Sequence, residues 1–198
     1  LWVGNTEQYF GSQANGGINP ATVYSEKFGY ANFSREAQKQ AISFMFAQPL
    51  LFIKITASRF MAYFSAIRPM GFWFYLRGVN QVIFVASSGL AILFLFMTGL
   101  SGILVALKQN NILLNYLIAF TLTAPVALIF AVVESRYRFQ IYPFLAIFGA
   151  YFLYQAKSSW LSVRKPFFYA TSFILVISVT DIIISWQAIL EHFKLLLA

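Results

Sequence analysis

The chain has no cysteine, a single histidine and only six acidic residues. Without thiols there is neither a disulfide framework nor a thiolate metal site. One imidazole, His192, cannot assemble a cluster of imidazole ligands, and with only Glu191 beside it Ser-His-Asp catalysis lacks its parts. Charge of either sign is scarce. Of 198 residues 10% are charged, against roughly 25% in a soluble domain, while 60% are hydrophobic and the mean hydropathy is +0.70. These proportions exclude an ordinary soluble domain and specify an all-α integral membrane protein. A secretory leader is also missing: Leu1-Trp2-Val3-Gly4-Asn5 has no initiator Met and no basic segment before a short apolar stretch. We therefore expect the sequence to begin inside a longer protein.

The charge that is present is lopsided, with fourteen Lys plus Arg against six Asp plus Glu and a formal net charge of +8. In a soluble protein that balance would suggest nucleic acid. Here the bases stand at the ends of apolar runs, where they anchor to anionic headgroups and set orientation. The expected partner is membrane lipid, with no nucleic acid.

Residues 1–33 are the polar part, rich in Gly, Asn, Ser and Tyr, and read as an extracytoplasmic loop segment. A loop this long is either functional or a plain connector. From 34 to 70 the pattern is that of amphipathic interfacial helices, with Ser34 as N-cap and Pro49 kinking the helix or starting a new one. Lys54, Arg59 and Arg68 make a clean crossing expensive there, so the segment is expected to lie in the interface with an apolar face down. The rival is a tilted crossing at about 42–64. Phe72-Trp73-Phe74-Tyr75 suits a membrane interface. Residues 71–198 form a helical transmembrane bundle of about four spans, at about 79–107, 112–133, 136–154 and 167–186, each near the ~20 apolar residues a bilayer core requires. Lys108-Gln109-Asn110-Asn111 turns between the first two, Pro125 is a tolerated kink, 157–166 is a connection, and 187–198 is a short amphipathic tail.

With four spans, the turns at 108–111 and 157–166 share one side. That side carries Lys108, Lys157, Arg164 and Lys165 and no acid, so by the positive-inside rule it is cytoplasmic. The polar loop and the tail, together with Glu134-Ser135-Arg136-Tyr137-Arg138-Phe139, then face the other side. If 42–64 crosses, the loop changes sides and this charged island does not.

The island is the site to explain, because charges between membrane spans are costly unless they reach the interface, pair or bind. As a strand Glu134, Arg136 and Arg138 would share a face; as an α-helix they would fan out. One Arg pairing with Glu134 leaves the other for an anion, and a guanidinium fork suits phosphate. Asp181 is placed to be a second partner. The plain alternative is interfacial anchoring with a structural ion pair.

The order of these features resembles the C-terminal part of bacterial family 39-type glycosyltransferases, GT-C membrane enzymes related to protein O-mannosyltransferases and the aminoarabinose transferase of lipid A. The resemblance rests on Leu1-Trp2-Val3-Gly4-Asn5, on Ser34–Phe64 with Pro49 and Arg59, and on Glu134-x-Arg136-Tyr137-Arg138 with Pro143. The chain departs from the family at Thr6-Glu7 and at Gln140. The resemblance implies transfer of a sugar from a polyprenyl-phosphate carrier to an acceptor at the extracytoplasmic face of the bacterial inner membrane. Arg136 and Arg138 would hold the carrier phosphate, with Glu134 orienting an arginine, Tyr137 in the same site and Asn5 lining the acceptor side. It also implies a catalytic carboxylate in an N-terminal half absent here, so no catalytic residue is assigned in this chain and no cofactor is specified. The competing expectation is a non-catalytic transmembrane subunit of a larger membrane complex, with Ser87, Ser88, Gly89, Gly99 and Gly102 as close-contact positions. A transporter is less favoured, since a lone Asp181 and no pair of broken helices leave it little to work with.

Overall fold

The computed structural model describes residues 29–66, 79–131 and 135–197, and among these every regular element is helical, with no strand. The described residues hold six α-helices in order: α1 Tyr30–Ala47, α2 Pro49–Phe64, α3 Val79–Lys108, α4 Ile112–Ala131, α5 Tyr142–Ser158 and α6 Trp160–Leu197. A 3-10 helix, Ser135–Gln140, precedes α5. The cluster Phe72–Tyr75 and most of the polar segment lie outside the described residues.

Among the described residues three helices contain stretches long and apolar enough to cross a membrane, Ala86–Lys108 in α3, Ile112–Phe130 in α4 and Trp160–Ile184 in α6, and the bent pair of α1 and α2 reaches that length and apolarity only when its two arms are taken together. Helix α5 has 17 residues, about 25 Å at 1.5 Å per residue, slightly under the hydrocarbon thickness of about 30 Å.

The chain forms two compact units, one of residues 1–60 with 127–132 and one of 61–126 with 133–198. In the first, α1 begins four residues before the expected cap. Gly29 occupies the N-cap with φ of 76°, a left-handed conformation open to glycine at no steric cost, and Ser34 falls inside the helix. Pro49 acts as expected. Its missing N–H and its ring stop α1 at Ala47 and suit the first position of α2, and the two axes meet at 108°. Ala41 and Ile55 are buried in this unit.

In the second unit α3, α5 and α6 pack together, and glycine sets how closely. A Cβ on Gly102 would lie 1.9 Å from the Phe148 carbonyl oxygen, one on Gly99 would lie 2.8 Å from Leu145, and one on Gly149 would lie 2.9 Å from Thr98 Oγ1. The backbones of α3 and α5 therefore touch along a small-residue seam. Phe96 meets Tyr142, Gly99 meets Leu145 and Gly102 meets Phe148, a constant offset in sequence, so α3 and α5 run parallel. Phe152 stacks on Phe167 with centroids 5.5 Å apart, which a continuous helix could not achieve over that separation, so the chain reverses at Ser159. Val105, Phe152 and Val163 close the core at this end.

One expectation is corrected: the connection 157–166 is helical except at Ser159. The tail from 187 is helical too, continuing α6 to Leu197. Pro166 sits in the second turn of α6, buried, where a membrane helix tolerates a missing donor.

Candidate functional site

Only part of the charged island can be placed. Glu134 and Asn5 lie outside the described residues, as do the side chains of Arg136 and Tyr137. The backbone of 135–140 is a 3-10 helix, so the strand alternative does not apply. With three residues per turn, positions 136 and 138 fall on different faces. The transition to α5 follows from Pro143 in its first turn: proline has no N–H to bond back into the preceding segment and is preset for a helix start. Ile141 N donates to Arg138 O at 3.2 Å and Leu145 N to Ile141 O at 2.9 Å, the handover from one helix type to the other.

Arg138 is fully buried, with 0% of its surface exposed. Its Nη2 donates to the backbone carbonyl of Ser65 at 2.5 Å. Ser65 directly follows α2, where the terminal carbonyls lack intrahelical donors and the helix dipole favours a cation. The guanidinium carbon also lies 5.4 Å from the centre of the Phe96 ring, within cation–π range. The next backbone group is satisfied from α6: Ala66 N donates to Ser178 Oγ at 3.0 Å. Asp181, 5% exposed, stands one turn further along α6 from Ser178 and so on the same face.

Further aromatic rings pack around Phe96, the ring that faces the arginine. Phe64 lies edge-on to Tyr63, Phe96 and Phe173, with centroids 5.2 to 5.9 Å apart, and Phe96 lies edge-on to Tyr142 at 6.2 Å. The Tyr63 hydroxyl is buried and makes no hydrogen bond among the described residues, which costs about 1–3 kcal/mol.

Arg59, in the other unit, repeats the pattern. Its Nη1 donates at 3.4 Å to the carbonyl of Phe130, next to the last residue of α4. Sequence reading marks Arg59 as a cost to a membrane crossing and as one of the residues of the family resemblance, and it passes over Ser65, Phe96 and Tyr63. Neither a backbone carbonyl nor one aromatic among many gives a residue-type signal.

Gly99 and Gly102, expected at contacts with a partner's helices, are used inside the chain against α5. Among the described residues no three of His, Cys, Asp and Glu group to hold a metal. No protein family, curated protein or solved structure matches this chain.

Proposed function

We propose that this chain is the carrier-binding part of a membrane glycosyltransferase, contacting the phosphate of a polyprenyl-phosphate-linked sugar through Arg136 at one end of a bundle of four crossings. The observation that carries the reading is the buried Arg138. Moving a guanidinium out of water costs several kcal/mol even after relaxation. The chain meets that cost with a charged hydrogen bond, a helix terminus and a ring face, all directed at the 3-10 helix that follows Glu134. In this reading Arg138 is a positioning residue and touches no ligand. It fixes the backbone of the segment, leaving Arg136 to donate to an anion in the bidentate manner guanidinium favours. The family resemblance adds Glu134, as the residue that orients an arginine, and Tyr137 to the same polar segment.

Four crossings follow if α5 joins α3, α4 and α6. It runs parallel to α3 along the glycine seam, and the 3-10 helix adds roughly 12 Å at about 2.0 Å per residue, enough together to match a bilayer core. The reaction rests on the sequence resemblance, and the anchored 3-10 helix supports this reading of the phosphate site.

The test is direct binding of polyprenyl phosphate to the purified protein, followed by native mass spectrometry, alongside sugar transfer by the native-length protein. Arg136→Ala is expected to weaken carrier binding at least about tenfold, the loss of one charged bidentate contact. The same substitution should leave membrane insertion intact. Unchanged carrier affinity would remove this reading.

A further inference from the structure

The bend between α1 and α2 carries a surface that the carrier site does not use. The axes turn by 108° across Gln48 alone. Phe46 and Leu50 bracket the turn at 83% and 82% exposure, the highest of any large hydrophobic side chains among the described residues. About one turn out on each arm, Ile42 and Ile53 are exposed as well. Ile42 and Phe46 are four apart and share a face of α1; Leu50 and Ile53 are three apart and share a face of α2. An exposed lysine then follows on each arm, Lys39 on α1 and Lys54 on α2. The one acid on the two helices, Glu36, accepts a hydrogen bond from Gln40 at 3.4 Å, so the arms with Arg35, Lys39, Lys54 and Arg59 are net positive.

We propose that this elbow is a monotopic anchor whose apolar tip enters the acyl boundary of one anionic leaflet while Lys39 and Lys54 engage lipid phosphates. The spacing fits a shallow seat. Lys39 stands roughly 10 Å along α1 from Phe46 and Lys54 roughly 6 Å along α2 from Leu50, against insertion depths of about 5–10 Å for interfacial helices. A turn beyond a right angle sends α2 back towards the side from which α1 arrives, so the pair does not make a straight crossing. Charge complementarity selects the occupant, since basic residues set back from an apolar tip match anionic headgroups above acyl chains. This inference stands whether or not the chain binds a carrier lipid.

The sequence contains no cysteine, so single substitutions Phe46→Cys and Leu50→Cys can carry a fluorophore in the protein reconstituted into vesicles of phosphatidylcholine with or without phosphatidylglycerol. Lipids bearing nitroxide near the headgroup or near the acyl terminus then read depth. Quenching at both positions is expected to be about twofold stronger from the shallow nitroxide. Lys39→Glu with Lys54→Glu should reduce it on anionic vesicles and leave neutral ones unchanged. Strongest quenching from the deep nitroxide would mean a crossing and overturn the proposal. So would protection from both nitroxides, with or without quenching by aqueous iodide, or an unaltered response in the lysine variant. Ala47→Cys, judged by retained helicity in circular dichroism, replaces either position if a labelled variant does not fold.

Discussion

Arg138 and Arg59 both donate to carbonyls at or beside the C-terminal ends of helices, Ser65 after α2 and Phe130 in α4. Carbonyls at those ends lack intrahelical donors, and a cation is the donor the helix dipole favours. For Arg138 the consequence is measurable. Arg138→Met keeps much of the apolar stem and removes the donor, so it should lower stability by about 1.5–3 kcal/mol, the worth of a charged hydrogen bond, seen as a reduced melting temperature of the detergent-solubilised protein. Tyr63 in the same cluster should behave in the opposite way. Its buried hydroxyl has no partner among the described residues, so Tyr63→Phe should be neutral or stabilising by up to about 1 kcal/mol. A clear loss on Tyr63→Phe would mean that the hydroxyl bonds to something in the working protein. Arg138 was legible in the sequence as a residue that must be compensated. Its compensation was not, because the acceptor is a main-chain oxygen seventy-three residues away.

At the scale of elements, proline and glycine carried uneven information. Pro49 announced its break, since a ring at that position cannot continue α1. Pro166 with Arg164 and Lys165 looked like a loop by the same logic, yet the structure runs α6 through it, because a buried proline early in a helix forfeits one bond that neighbouring groups can offset. The glycines were legible as small positions, and their partner was not: composition shows that a backbone can come close, never to what. The α3–α5 seam now makes a graded prediction. Gly102→Ala must displace the Phe148 backbone from 1.9 Å and should cost about 1–3 kcal/mol or more by overpacking. Gly149→Ala, which meets the Thr98 hydroxyl at 2.9 Å, should cost least of the three because that side-chain end can yield, and Gly99→Ala, which meets the Leu145 carbonyl oxygen as well as its side chain at 2.8 Å, should fall between. Gly89→Ala, whose nearest neighbour is the Ala66 carbonyl at 3.8 Å, should be neutral or slightly stabilising, since alanine is the better helix former by about 1 kcal/mol. Thermal unfolding of the four variants gives the order directly, and equal losses at Gly89 and Gly102 would contradict the seam.

At the scale of the molecule, the number of crossings decides which groups share a compartment, and α5 decides the number. If α3 crosses one way and α4 returns, the 3-10 helix and the start of α5 lie on the side where α3 began. A crossing α5 brings Ser159 to the side of Asn110; an α5 that stays in the interface leaves them on opposite sides. The parallel course of α3 and α5, tied from Phe96–Tyr142 to Gly102–Phe148, favours the crossing, since a helix seamed along the middle of a spanning helix lies at its depth. Positive charge agrees: Lys108, Lys157, Arg164 and Lys165 then share one side without an acid, as cytoplasmic loops do. Asn110→Cys and Ser159→Cys in the cysteine-free chain should therefore both react with a membrane-impermeant maleimide from the cytoplasmic face of sealed vesicles, and neither from the opposite face. Labelling from opposite faces would reduce the bundle to three crossings and put the two ends of α6 on the reverse sides. The 3-10 helix carrying Arg136 would stay where it is, because its side depends only on α3 and α4.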